Sequence, residues 1–468
     1  MMRFALLLIP IVWALLIGQM LFPFVHVPGA RIWQLSFLAP LAVGTSSLAY
    51  FVSFAFTDFS YKSILLVDTA LTLLIVLLWL LTRQRERIVS HTAAFVLRWP
   101  DRVAYLSAAV VFLLATSSTF LLSTDNPMGF ADAYAIWNLR ALLLAVDGPL
   151  GGNINHLDLF RNPWVWHGDY PLALPAATAH FWRLLGFQWP EIPASIAAAF
   201  LYSTAGVLFS LFRLLGNVRT SILASTLVLA SPLAVYVSAS QCADVPLGFF
   251  VVATFGCLVL SANSALQTRA LMTSGICAGA AAWLKNEGSV FCAVVAGLVL
   301  VAFTAQERSA VRALRRMLPF AVGLAPFLAV LVYFKFFLAP PNDLLRYGGF
   351  RAADFFSLER HATVLKTFGG TLLNAGSFVL SGPILWFLYT FAHRAVNNDV
   401  RSSMGTVLIG ATAICVMGYY MIFLSSPWEL NYHLATASKR LVLHWWPAFV
   451  LIMGLLTTNW ITRAERIQ

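Results

Sequence analysis

The chain has 468 residues, of which 60% are hydrophobic and only 10% are charged. An ordinary soluble domain carries roughly 25% charged residues, so this composition excludes a soluble globular protein and makes lipid the solvent for most of the surface. The net charge of +11 is carried mainly by arginines in short segments between apolar runs, which is typical of cytoplasmic loops and argues against nucleic-acid binding.

Apolar runs along the chain predict an all-α polytopic membrane protein with about thirteen transmembrane helices, because one span needs about 20 mostly apolar residues. The predicted spans are 4–22, 37–56, 63–82, 103–122, 191–212, 220–239, 245–262, 270–286, 289–305, 317–338, 372–392, 403–424 and 442–460. The first run resembles a signal peptide, but no small-x-small cleavage site follows, so we expect a retained helix.

Arginine placement predicts which side of the membrane each loop faces. The 83–102 loop is arginine-rich and is therefore expected in the cytoplasm. Later arginine-rich loops fall on the same side only if the apolar stretch 171–187 does not cross. We therefore expect that stretch to lie at the interface, with Trp182 and Arg183 near the headgroups. The outer segments are then 123–190, 339–371 and 425–441.

The first outer segment contains a candidate general base. From Gly129 onward an amphipathic juxtamembrane helix is predicted, because apolar residues recur at helical spacing, namely Phe130, Tyr134, Trp137, Ala141 and Leu144. Asp132 falls in the first turn of this helix, off the stripe. A carboxylate at headgroup level can take a proton from a hydroxyl whose lipid tail stays in the membrane. The alternative is an ordinary helix-start acid favoured by the dipole.

Two further polar groups lie at short outer turns. Asp244, in ADVPLGFF, is either functional, as acids at a membrane border often are, or a turn-forming residue before Pro246. The LKNEG sequence contains Lys285 and Glu287. It either binds a phosphate through the lysine or forms a self-paired hairpin tip.

Basic and acidic residues also occur near other helix ends. Lys439 and Arg440 begin the last span and are expected to bind a lipid phosphate or to anchor in headgroups. Asp68, inside the third span, is predicted to make a helix–helix contact, and Lys335 is predicted to snorkel. The cysteines, mostly inside apolar runs, predict small buried side chains and neither disulfides nor a metal site.

The order of these motifs resembles that of the GT-C superfamily of membrane glycosyltransferases. It looks most like the branch of the protein O-mannosyltransferases and the bacterial lipid A aminoarabinose transferase. In that comparison FADAYAIWNLRA resembles the first acidic motif, DYPLALP the juxtamembrane stretch, ADVPLGFF the second acidic motif, LKNEG the lysine-bearing outer turn and ASKRLVLHWWP the basic entry to a late helix. The implied division is a three-helix N-terminal extension (1–102), a catalytic core (103–340) and a C-terminal part (341–468).

The resemblance implies an inverting transfer of a sugar from a polyprenyl-phosphate donor to a hydroxyl on a glycan, lipid or protein. The reaction is expected on the non-cytoplasmic face of the inner or plasma membrane. Asp132 is the expected general base, and Asp244 is expected to orient or share the acceptor site. The donor phosphate is expected at Lys285, Lys439 and Arg440. The implied substrate-binding residues are Asp125, Trp137, Arg140, His167, Asp169, Tyr170 and Glu287.

Other functions remain open at this point. Many spans and aromatic borders also fit a transporter or flippase for a lipid-linked glycan, although polar residues at one face favour an enzyme over a midplane pathway. A glycan polymerase or ligase would be expected to have its large outer loop late in the chain. The metal requirement is also open. Asp125, Asp132 and Asp244 are carboxylates that a divalent cation could gather, but they show no recognisable ligand spacing.

Overall fold

The computed structural model describes residues 31–57, 60–82, 99–145, 166–342, 352–376 and 403–458. These residues form helices joined by short turns, without a strand among them, which confirms the all-α prediction. The predicted span 4–22 and most of the predicted span 372–392 lie outside the described residues.

The structure contains the following helices in chain order. They are α1 (Arg31–Phe56), α2 (Tyr61–Thr82), α3 (Trp99–Asp125), α4 (Leu139–Ala145), α5 (Ala173–Leu185), α6 (Glu191–Leu214), α7 (Val218–Leu229), α8 (Pro232–Ala239), α9 (Asp244–Leu260), α10 (Gln267–Leu284), α11 (Asn286–Glu307), α12 (Ala310–Tyr333), α13 (Leu358–Leu373), α14 (Ser403–Ser425) and α15 (Leu430–Leu456). A π-helical turn, Ala133–Asn138, leads into α4, and another, Phe334–Leu338, extends α12.

Within the described part of the chain, seven helices are long and apolar enough to cross a membrane. The bent pair of α7 and α8, with a 53° angle between them, makes an eighth if the two helices form one span. This is the architecture of a polytopic helical membrane protein. The predicted number of thirteen spans is not reached by the described helices.

The core of the bundle is α9, in which every residue is buried. Helices α6, α10 and α15 pack around it, and α12 packs closely on α10. Small residues make this approach possible, because a Cβ atom on Gly275 of α10 would collide with the backbone of α12 at Phe320. The buried position of α9 fixes its first residue, Asp244, at one end of the core.

The segment 171–187, which was expected at the membrane interface, packs inside the helix bundle. It contains α5, whose 13 residues extend about 20 Å, too short for a span. Trp182 is buried among protein side chains. It is 1% exposed, and its indole N–H donates to the Trp189 carbonyl at 2.7 Å. The helix lies inside the bundle against α1 and α4, where Arg183 donates to the Ala145 carbonyl at 3.2 Å.

The predicted amphipathic helix after Gly129 is present but its apolar stripe is partly wrong. Trp137, Ala141 and Leu144 are buried as expected, whereas Tyr134 is 69% exposed. The cause is the π-helical turn Ala133–Asn138. A π-turn bonds residue i to i+5, so it shifts the faces of the residues before it relative to those of an α-helix.

Candidate functional site

Asp244 forms the buried centre of a polar cluster between three elements. Its carboxylate oxygen Oδ1 lies 2.9 Å from Nζ of Lys285, at the α10–α11 junction. The same oxygen lies 2.7 Å from Nε2 of His444 on α15. Asp244 is 1% exposed and His444 is 0% exposed. Because an unpaired buried carboxylate is strongly unfavourable, these contacts explain how the core tolerates the charge.

Lys285 holds two acids at once. Its Nζ lies 3.1 Å from Oε1 of Glu287 as well as beside Asp244. The backbone of Lys285 is extended, with φ of −157°, which interrupts the helix between α10 and α11 and turns the side chain inward. Burial lowers the pKa of Lys285, but Asp244 and Glu287 outweigh burial and raise the pKa above its ordinary value. The side chain is therefore a stable ammonium ion.

Asp132 and Arg440 form a second ion pair, across 308 residues of sequence. Both side chains keep solvent access, with 40% of Asp132 and 32% of Arg440 exposed. Arg440 also interacts electrostatically with Asp244. Arg440 and His444 are four residues apart on α15 and therefore share one face. The two predicted catalytic acids, Asp132 and Asp244, therefore both contact this face of α15.

Two side chains of the cluster were missed by the sequence reasoning. His444 bridges Asp244, through Nε2, and Tyr419 of α14, whose hydroxyl lies 2.9 Å from Nδ1. The i, i+4 spacing of Arg440 and His444 in ASKRLVLHWWP was a usable signal for the histidine. Nothing in the sequence marks Tyr419, because its role depends on how α14 packs on α15.

The turn before α5 places Tyr170 over the cluster. The Tyr170 ring centre lies 6.0 Å from Nζ of Lys285, and the ring stacks on His167 at 4.7 Å and Trp137 at 5.8 Å. Burial, together with Glu287, raises the pKa of Tyr170. The phenol therefore keeps its proton and remains a hydrogen-bond donor.

Arg140 binds this turn through two of its backbone carbonyls. Its guanidinium donates to the Tyr170 carbonyl at 2.6 Å and to the His167 carbonyl at 3.5 Å. Burial, partly opposed by Asp169, lowers the pKa of Arg140 to about 9. Arg140 is 0% exposed, so we assign it to positioning the turn, whereas the resemblance implied contact with a substrate.

Asp169 is the centre of a smaller buried network. Its Oδ2 accepts from the side-chain amides of Asn286 and Asn342, each at 2.7 Å. Lys335 donates to the Asp169 backbone carbonyl and, at 2.7 Å, to Oδ1 of Asn286. The prediction that Lys335 snorkels is therefore wrong, because its ammonium faces this network. Asn286 belongs to the polar LKNEG turn but was not among the predicted site residues.

Two predicted site residues lie apart from these ion pairs. Asp125 is exposed at the last turn of α3, and Lys439 is exposed on α15 beside Arg440. In the described parts of the chain, the His, Cys, Asp and Glu side chains do not come together in groups of three or more that could hold a metal ion. The acids Asp132 and Asp244 are each paired with a cationic side chain instead.

Hydrogen bonds connect the turn that carries Asp132 to the turn that carries Asp244. The side-chain amide of Asn138 donates to Oε1 of Gln241 at 2.7 Å, and Gln241 donates to the Pro127 carbonyl at 3.0 Å. The backbone N–H of Phe130 donates to the Ser240 carbonyl at 3.4 Å. These contacts set the distance between the two acid-bearing turns.

An apolar groove begins one helical turn below the Tyr419–His444 contact. Its volume is about 460 Å³, and it lies between α7, α13, α14 and α15. Val416 and Trp446 line its upper end, and Thr412 and Met453 lie further along. The lining is almost entirely apolar, so the groove suits a hydrocarbon chain.

No protein-family model matches the chain, and neither the curated proteins nor the solved structures contain a significant match.

Proposed function

We propose that the chain is an integral membrane glycosyltransferase that moves a sugar from a polyprenyl-phosphate donor to a hydroxyl acceptor on the non-cytoplasmic face. The observation that supports this most is that acidic and basic side chains from distant segments come together. Asp132 pairs with Arg440, and Asp244 pairs with Lys285. Arg440 also interacts electrostatically with Asp244, which couples the two pairs. Such a cluster combines a solvent-accessible carboxylate with fixed cations, which is the chemistry that transfer from a phosphate requires.

The donor is proposed to lie with its phosphate at the cations and its tail in the apolar groove. Arg440 can bind a phosphate through two parallel hydrogen bonds, and exposed Lys439 adds charge next to it. Lys285 supports the same region from the buried side. The groove, lined by Val416 and Trp446 at one end, is proposed to take the apolar isoprenoid tail.

The transfer step is a single displacement with Asp132 as the general base. The acceptor oxygen attacks the anomeric carbon while its proton passes to the Asp132 carboxylate. The bond from the anomeric carbon to the phosphate oxygen breaks, and the polyprenyl phosphate leaves with the electron pair. In this scheme the donor phosphate competes for Arg440, which releases Asp132 from its ion pair only when the donor is bound.

The membrane placement belongs to the same proposal. We infer that the further predicted spans cross the bilayer together with the helices described above, and that the cluster opens to the periplasmic or extracytoplasmic side. The arginine-rich loops then face the cytoplasm. The acceptor is a hydroxyl on a glycan, lipid or protein.

Asp132→Asn tests the proposal in the purified full-length protein. With a polyprenyl-phosphate sugar as donor, we expect about 10²–10⁴-fold less transfer, because general-base help contributes about that factor. Glu191→Gln, at an exposed acid in the first turn of α6, is the matched control and should transfer normally. Near-normal transfer by Asp132→Asn would remove the base assignment, and no transfer by the wild type from any polyprenyl-phosphate sugar would remove the function.

A further inference from the structure

A buried contact between an aspartate and a histidine lies away from the cluster, between α2 and α5. Oδ2 of Asp68 and Nε2 of His180 are 2.9 Å apart, and the two residues are 6% and 0% exposed. Helix α2 is otherwise strongly apolar. A carboxylate in such a helix is costly and is kept only where it has a partner and a role.

Asp68 lies on the face by which α2 contacts the rest of the protein. Ile64, Asp68 and Ile75 are buried, while Leu66 and Leu73 on the other face are 70% and 64% exposed. The pair therefore links α2 to α5 through the centre of that contact face. Helix α5 begins directly after the turn formed by residues 166–172, which carries Asp169 and Tyr170.

Helix α1 makes two further polar contacts of the same kind. The hydroxyl of Tyr50 donates to the Leu144 carbonyl at 2.7 Å, near the C-terminal end of α4, the helix whose first turn carries Arg140. The indole N–H of Trp283 donates to Oγ of Ser47 at 3.2 Å, two residues before Lys285. Each contact joins an N-terminal helix to a segment that carries a residue of the cluster or of its supporting turn.

We propose that α1 and α2 position the 166–172 turn against the cluster, with Asp68, His180 and Tyr50 as positioning residues. Asp68 holds α5 on one side of the turn. Tyr50 holds α4, whose Arg140 binds the turn's carbonyls on the other side. A turn held at both ends keeps Tyr170 beside Lys285. The effect on turnover rests on the proposed function, whereas the effect on the turn does not.

Amide hydrogen exchange of the full chain in nanodiscs tests the structural part. Asp68→Leu removes the carboxylate and Tyr50→Phe removes only the hydroxyl. In each we expect amides of residues 166–172 to exchange about tenfold faster, while those of α9 are unchanged. Asp68→Asn keeps a hydrogen-bond acceptor and should exchange close to the wild type.

The controls are matched in chemistry. Thr69→Ala changes an exposed residue of α2 whose hydroxyl bonds only to its own helix. Tyr202→Phe removes a hydroxyl that bonds to Thr116 at 2.9 Å, between α3 and α6. Unchanged exchange in the turn, or an equal rise in α9, would overturn the proposal. If Asp68→Leu does not fold, Tyr50→Phe alone decides.

Steady-state transfer separates positioning from mere support of the fold. Positioning predicts a kcat about tenfold lower per folded molecule at unchanged KM for the donor, because small misplacements of reacting groups chiefly reduce the rate. A purely structural role would lower the yield of folded protein and leave kcat unchanged, which would contradict the proposal. If the wild type transfers no sugar, the proposed function fails and the exchange measurement still decides the role of the pair.

Discussion

Lys285 lies against two carboxylates, the buried one of Asp244 at 2.9 Å and the partly buried one of Glu287 at 3.1 Å. Removing one member of a buried ion pair leaves an uncompensated charge, whereas removing both is far less harmful. Both the stability of the protein and the proposed chemistry therefore depend on Nζ of Lys285.

Lys285→Met should destabilise the protein by about 3–5 kcal/mol, because the carboxylate of Asp244 remains buried without its cation. Lys285→Arg keeps a cation and serves as the control. The double variant Lys285→Met, Asp244→Leu should recover part of the stability without recovering transfer. Unfolding in detergent followed by circular dichroism measures all three. Wild-type stability in Lys285→Met would contradict the paired-charge description.

At the scale of elements, the turn that carries Asp132 packs tightly against the α8–α9 turn. Gly129 has φ of +76°, and a Cβ there would lie 2.6 Å from Cβ of Ala133 and 2.7 Å from the Ser240 carbonyl oxygen. Gly186, after α5, has a similar φ of +69° but nothing within 4 Å of a Cβ. Substitution of Gly186 therefore tests backbone strain alone, whereas substitution of Gly129 tests backbone strain and steric conflict together.

Gly129→Ala should therefore cost more than Gly186→Ala. Both pay about 1–2 kcal/mol for a left-handed backbone, and only Gly129→Ala adds an overpacking cost of about 1–3 kcal/mol. We also expect transfer to fall by up to about 10²-fold in Gly129→Ala, since the Asp132 turn must shift. Thermal unfolding and transfer assays on both variants give the comparison, and equal losses would argue against the close packing.

Sequence periodicity predicted elements well where apolar runs are long. The predicted spans 191–212 and 403–424 match α6 and α14 within a few residues. Periodicity failed at the π-turn before α4, because local patterns do not show an i to i+5 step. Periodicity also did not show that α5 packs against α1 and α4, because those contacts depend on the tertiary fold.

The candidate site was predictable only in part. Asp132, Asp244 and Lys285 are charges in apolar surroundings and therefore stand out in the sequence. Tyr419 joins the cluster only through packing of α14 on α15, and Asn342 only through the fold of a distant segment. The spacing of His444 from Arg440 marks this histidine, but its contact with Asp244 depends on the packing of α15 on α9. Residues marked by charge were found, whereas neutral partners and long-range pairs were not.

At the scale of the whole molecule, the proposal requires the cluster and the arginine-rich loops to face opposite sides of the membrane. A cysteine at Glu191 should react with an impermeant maleimide in intact cells, and one at Arg312 only after permeabilisation. Both positions are exposed, while the native cysteines are buried and give little background. Labelling of both positions from the same side would contradict the orientation.

The most direct test of the central claim is a density map of the full-length protein with a polyprenyl-phosphate sugar bound. The proposal predicts phosphate density within hydrogen-bonding distance of Arg440, the sugar beside Asp132, and the isoprenoid tail along Val416 and Trp446. Donor density far from this cluster, or a continuous polar pathway through the membrane, would contradict it and favour transport of a lipid-linked glycan.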